Sequence, residues 1–98
     1  MNILSEKRRK MMDATLSMYS FMRKIDDVVV IKMSKDLFVS LLSFNFPFVI
    51  YSRDVLKPHQ YKGYSLVLVS NPDYVAVAYF NTRTGKLHDI REIKEETT

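Results

Sequence analysis

Cysteine is absent from this sequence. Disulfides, thiolate nucleophiles and thiolate metal ligands are excluded with it, and the chain fits a reducing compartment. Glycine is scarce: Gly63 and Gly85 are the only two. Neither common type of glycine-rich phosphate loop can be built from them. Long apolar runs are also missing. Val28 to Ile31 and Phe46 to Tyr51 are among the longest, far short of the roughly 20 residues of a membrane span. The first residues run into charge at Glu6 with no apolar stretch of secretory length. A soluble, cytoplasmic protein is the expectation.

Groups that carry chemistry are thinly spread. His59 and His88 are far apart, and neither has a partner at zinc-ligand spacing. Both are expected to be solvated. No serine stands in a nucleophile elbow. Asp26 and Asp27 are adjacent, so on a strand their side chains point to opposite faces. That is wrong for a shared metal or an acid–base pair, and they are expected to mark the solvated start of a strand. No metal, cofactor or small-molecule substrate is expected, and the chain reads as a non-enzyme. An enzyme would need the fold to gather His59 or His88 with a carboxylate.

What is present is an ordinary globular composition: 98 residues, 47% apolar and 27% charged. This suits one domain over residues 1–98, with a polar tail frayed from about residue 92. The net charge is +4, and it is localised. Up to Lys24 there are six basic and two acidic residues, and the remainder carries nine of each. Lys7-Arg8-Arg9-Lys10 dominates this segment. Placing four cations in the first half of a helix opposes the helix dipole, which hints at a use for them. Nucleic-acid phosphates are the obvious partner.

Residues 3–24 read as a helix. Leu4, Met11, Ala14, Met18, Phe21 and Ile25 follow a 3–4 spacing, with Met12, Tyr19 and Met22 widening the stripe. Val28–Met33 reads as a strand covered on both faces. Ser34 then caps a second helix, with Asp36 in its first turn and Met33 and Phe38 placed as a hydrophobic staple. Asn45 and Pro47 would close that helix. Phe48–Tyr51 is expected as a strand, and residues 53–60 as an irregular loop. From Tyr61 to Ile90 the pattern predicts a three-strand meander. A type I turn at Asn71-Pro72-Asp73 and a hairpin closed by a left-handed Gly85 punctuate it. Leu87, Ile90 and Ile93 recur every three residues, which fits a strand poorly.

The fold class is α+β, in the order α-β-α-β-β-β-β, with two helices on a mainly antiparallel sheet that ends in a C-terminal meander. Its strands are apolar on both faces, so both need cover, and an uncovered side would be an interface. The function expected is a non-catalytic interaction module that binds a protein partner or a second copy of itself. The expected interface is Met11, Met18, Phe21 and Met22 with Val75, Val77 and Tyr79. The alternative is a nucleic-acid binder that uses Lys7, Arg8, Arg9 and Lys10.

Overall fold

A computed structural model describes residues 4–44 and 48–94. Two helices pack on a six-stranded mixed sheet. They are α1 (Glu6–Met22) and α2 (Lys35–Ser43); the strands are β1 (Asp27–Ser34), β2 (Val49–Ile50), β3 (His59–Tyr61), β4 (Tyr64–Val69), β5 (Val75–Asn81) and β6 (Leu87–Glu92). The α+β class and the mainly antiparallel sheet are as expected. The expected helix closure at Asn45 and Pro47 lies outside the described residues.

Both helices begin on serine caps. Ser5 Oγ accepts from the Arg8 N–H at 3.2 Å, and Ser34 Oγ from the Leu37 N–H at 3.4 Å. Each satisfies one of the donors that the first helical turn leaves without a partner.

The strand order is β2-β3-β4-β1-β5-β6. β1 pairs in parallel with β4 and antiparallel with β5. This corrects the meander: β4 and β5 follow one another in sequence, but β1 lies between them. The physical reason is burial. A strand with valine or isoleucine on both faces gains most at the centre of a sheet. The Asn71–Asp73 turn reverses the chain without pairing the strands it joins. It carries the chain past the end of β1, where the Ser34 N–H bonds Tyr74 O at 2.8 Å. Asp73 has a positive φ of 53°, the type II pattern rather than the expected type I.

Two further differences concern the outer strands. His59 and Gln60, expected in a loop, join Tyr61 in β3, which makes a hairpin with β4 through Tyr61↔Tyr64. Its two turn residues, Lys62 (φ 51°) and Gly63 (φ 85°), are both left-handed, as a type I′ turn requires. The second hairpin closes as expected, with Gly85 at φ 69° and its N–H on Asn81 O at 2.8 Å. A bulge between Tyr79 and Phe80 accounts for the odd spacing in β6. It inserts His88, so Leu87 opposite Phe80 and Ile90 opposite Ala78 share one face although three residues apart. Glu92 ends β6 and Ile93 is buried, with its N–H on Val75 O at 2.8 Å. The chain is therefore anchored past residue 92, where fraying was expected.

The core forms on one side of the sheet. Val29, Ile31 and Met33 of β1, Leu66 of β4 and Val75 and Val77 of β5 meet Met12, Leu16 and Tyr19 of α1 and Leu37, Phe38 and Leu41 of α2. Each fully buried aliphatic side chain contributes about 1.5–3 kcal/mol. The face that α1 buries is Arg8, Met12, Leu16 and Tyr19, with Leu4 buried just ahead of the helix. The structure splits the stripe read from the sequence: Met12 and Tyr19 are in the core, while Ala14, Met18, Phe21 and Met22 are exposed. A cation, Arg8, occupies one position of the buried face, which a purely apolar periodicity passes over.

Candidate functional site

The two helices share one face of the sheet, so the other face carries no layer of this chain among the described residues. Strand alternation places Val28, Val30 and Lys32 of β1 there, with Ala76, Ala78 and Phe80 of β5 directly opposite them. Ser65 and Val67 of β4 lie alongside β1, and Ile90 and Glu92 of β6 alongside β5. Ala76 and Ala78 on β5 are 0% and 1% exposed, covered by the larger side chains beside them, Val28 and Val30 on one side and Ile90 on the other. What this face offers to solvent is the outer parts of those larger side chains. Val67 is 46% exposed, Leu87 50% and Ile90 39%.

The second surface is the outer side of α1. Met18, Phe21 and Met22 stand at i, i+3 and i+4 and are exposed, and Ile25 follows beyond the helix end. Phe21 is 92% and Ile25 98% exposed. Arg23 and Lys24 flank this stripe.

The structure divides the residues expected at the interface. Met18, Phe21 and Met22 are on the surface, and Met11 is half-buried against the core. Val75 and Val77 are wholly buried beneath the helices. Tyr79 is on the same helix side, half-buried. For these three the expectation is corrected: the uncovered face of β5 is its alanine face. Both faces of β5 are apolar, and the helices cover the one with the larger side chains, which buries more area.

The basic run is also divided. Arg8 is buried, and its Nη1 donates to Asp73 Oδ1 at 2.9 Å. Its Nη2 donates to Asp73 O at 3.4 Å and to Ile93 O at 3.3 Å. Arg9 pairs with Glu6 and lies over the Phe48 ring. Lys7 and Lys10 are exposed. Arg8 thus ties α1 to the β4–β5 turn and to the residue after β6, and it is withdrawn from any phosphate.

A polar cluster that the sequence pattern did not reveal sits where α1 ends against β5 and β6. Asp27 is 4% exposed, not solvated as expected. Tyr79 Oη donates to its Oδ2 at 2.8 Å, Asn81 Nδ2 to its Oδ1 at 3.0 Å, and the Lys24 N–H to Oδ2 at 3.1 Å. His88 Nε2 is 3.6 Å from Oδ1. These donors, the Tyr79 hydroxyl first, hold the Asp27 carboxyl below the usual range although burial works against them. Tyr19 donates to Asp89, whose carboxyl is lowered chiefly by that bond. Burial first, then Asp89, raises the Tyr19 phenol to about 12. Both carboxylate oxygens of Asp27 are thus held by donors of this chain. The spacing of Asp27, Tyr79 and His88 in sequence held no sign of this cluster, because only the β1–β5 ladder and the β6 bulge bring them together.

His59 is accounted for locally. Its Nδ1 accepts from the Ser52 N–H at 3.0 Å, and its ring lies against Phe38 and Tyr51. A cleft of about 600 Å³ opens beside the start of β1, where β4 does not reach. Arg23, Lys62, Tyr64 and Phe80 line it with neither histidine. No group of three or more metal-ligating side chains occurs among the described residues, and no described helix is long and apolar enough to cross a membrane. No protein-family model, no curated protein and no solved structure matches the chain.

Proposed function

We propose that this chain is a non-catalytic interaction module that works by associating with further copies of itself. The exposed stripe of α1 on one copy packs onto the sheet face of the next that carries no helix. One observation carries the reading: the exposed helix stripe and the apolar sheet face lie on opposite sides of the same chain. Met18, Phe21 and Met22 have the spacing with which an amphipathic helix presents one apolar side. Methionine suits such a contact because it adapts its shape. Glu92 at a corner of that sheet face is opposite in sign to Arg23 and Lys24 beside the stripe. The contact gives the sheet the second helical layer that a sheet with two apolar faces requires.

Light scattering tests this over the micromolar range. The mass is expected to rise above the 11.5 kDa of one chain. A head-to-tail contact uses different surfaces on its two sides. Phe21→Asp spoils one and Val67→Lys the other. Each variant should fail to extend the head-to-tail series, and an equimolar mixture should join through the intact pair of surfaces. A wild-type chain that stays at one-chain mass throughout would refute the proposal.

A further inference from the structure

The free edge of β6 has an order of charges that is complementary to itself. Among the described residues β5 is its only neighbour, so the strand closes one side of the sheet. Its regular part runs Asp89-Ile90-Arg91-Glu92. Charges on an edge strand ordinarily discourage pairing with another chain. Here, reading the strand backwards about Ile90 sets Asp89 opposite Arg91 and Arg91 opposite Asp89. A two-fold axis through Ile90, perpendicular to the sheet, would therefore match both ion pairs at once.

The backbone agrees with that axis. The Ile93 N–H bonds Val75 O within the β5–β6 ladder. Val77↔Arg91 and Tyr79↔Asp89 continue the same register. In an antiparallel ladder, alternate residues direct both N–H and C=O to the same neighbour. Arg91 and Ile93 thus face β5, while Ile90 and Glu92 present their N–H and C=O at the open edge. An Ile90-centred pairing makes Ile90 opposite Ile90 a hydrogen-bonded pair, which is the geometry that the exposed groups need. The side chains also sort correctly. Asp89 and Arg91 lie on the helix side, where Asp89 accepts from Tyr19 and the Arg91 guanidinium lies 5.7 Å from the Tyr19 ring centre. Ile90 lies on the opposite face, the one without helices. The Asp89 and Arg91 side chains are 40% and 57% exposed and already in contact within the chain at 3.3 Å, so each can reach its counterpart across the edge.

We infer that β6 is a self-pairing edge, at which a second copy of this chain adds antiparallel about Ile90 to give one continuous twelve-stranded sheet. The inference rests on the self-association reading but uses a different surface. The bulge at Tyr79/Phe80 ends the regular pairing at Asp89, so the contact is short and the dimer forms and dissociates with concentration.

The test is made on the Phe21→Asp chain, in which the head-to-tail contact is blocked. Sedimentation is expected to find two-chain mass at high concentration and no larger species. Ile90→Pro removes an N–H that lies at the open edge, where it also supports the Asp89 carboxylate, and none from the β5–β6 ladder, a position where an edge strand tolerates proline. In the same background it should leave one-chain mass with an unchanged circular dichroism spectrum. Arg91→Asp should weaken the dimer at least tenfold by placing Asp89 opposite an aspartate. Asp89→Arg should do the same, and mixing the two variants should restore a two-chain species. If the Phe21→Asp chain is already a monomer at the highest concentration, or if Ile90→Pro leaves its dimer intact, the edge inference is overturned. Wild-type growth in mass would in either case keep the head-to-tail reading standing, whereas a wild-type monomer removes both.

Discussion

Arg8 and Asp73 meet at 2.9 Å across 65 residues of sequence, the guanidinium buried and the carboxylate at the surface. This pair, with the two backbone carbonyls that Arg8 also holds, explains why a cation stands in the buried face of an amphipathic helix. Arg8→Ala is expected to lose about 1–3 kcal/mol, the range for leaving buried acceptors without donors. Lys10→Ala, at an exposed position, should stay within about 0.5 kcal/mol. Urea unfolding of the two variants checks the contrast. Any test of phosphate binding by the basic run must therefore keep Arg8, or loss of fold will pass for loss of binding.

The two sides of α1 make a second contrast. Leu16 is 2% exposed and Phe21 92%. Leu16→Ala should cost about 2–5 kcal/mol, as buried leucine truncations do. Phe21→Asp should leave the unfolding midpoint nearly unchanged while altering the mass in solution. A large loss of stability from Phe21→Asp would mean that the stripe belongs to the core.

Among the donors that hold Asp27 ionised, the Tyr79 hydroxyl contributes most. Tyr79→Phe should lower the urea midpoint at pH 7. The deficit should shrink as the pH falls through the folded Asp27 value, below the unfolded value of about 3.9, because the protonated carboxyl needs the donor less. A deficit that stays constant throughout the acid range would assign the effect to ring packing against Tyr19 instead.

The pH dependence of stability has two arms. Asp27 and Asp89 have folded pKa values below their unfolded ones. Their contribution is present above the unfolded value of about 3.9 and is lost as pH falls through the folded values. Tyr19, raised to about 12, acts in the opposite sense. Its contribution is complete below the unfolded value of about 10 and disappears between there and about 12. Thermal melts from pH 2 to 11 should give a plateau near neutrality with losses at both ends. Burial raises the Tyr61 phenol and the Asp27 bond raises that of Tyr79, so Tyr19→Phe should reduce the alkaline arm without removing it.

Gly63 has φ 85° with open space where a Cβ would stand. The strain of Gly63→Ala is therefore purely conformational, about 1–2 kcal/mol. It should act on the β3–β4 hairpin, with faster amide exchange at His59–Tyr61 than in β5.

Several features of this fold were legible in single residues or short neighbourhoods. Ser34 capping α2, Gly85 closing a hairpin and the apolar run at residues 28–31 forming a strand each depend on local dihedral preference or on one strand's own composition. The Lys62-Gly63 turn was not legible, because lysine seldom takes the left-handed conformation. Here tertiary contacts hold it: the Lys62 N–H on Phe48 O at 2.9 Å and its ammonium on Asp13 at 2.9 Å.

By itself the sequence determined that this is a small α+β domain with two apolar sides to its strands. It also carried the self-complementary order Asp89-Ile90-Arg91, though that order has meaning only on an open edge. Tertiary structure alone decided which residues face which way. The pairing of β6 with β5 alone among the described strands made it an edge. The placement of both helices on one side left the other face of the sheet without a helical layer. Arg8, by binding Asp73 and two carbonyls, helps fix which side of α1 faces the sheet. Each outcome depends on contacts between residues distant in sequence, whose energies no local pattern encodes.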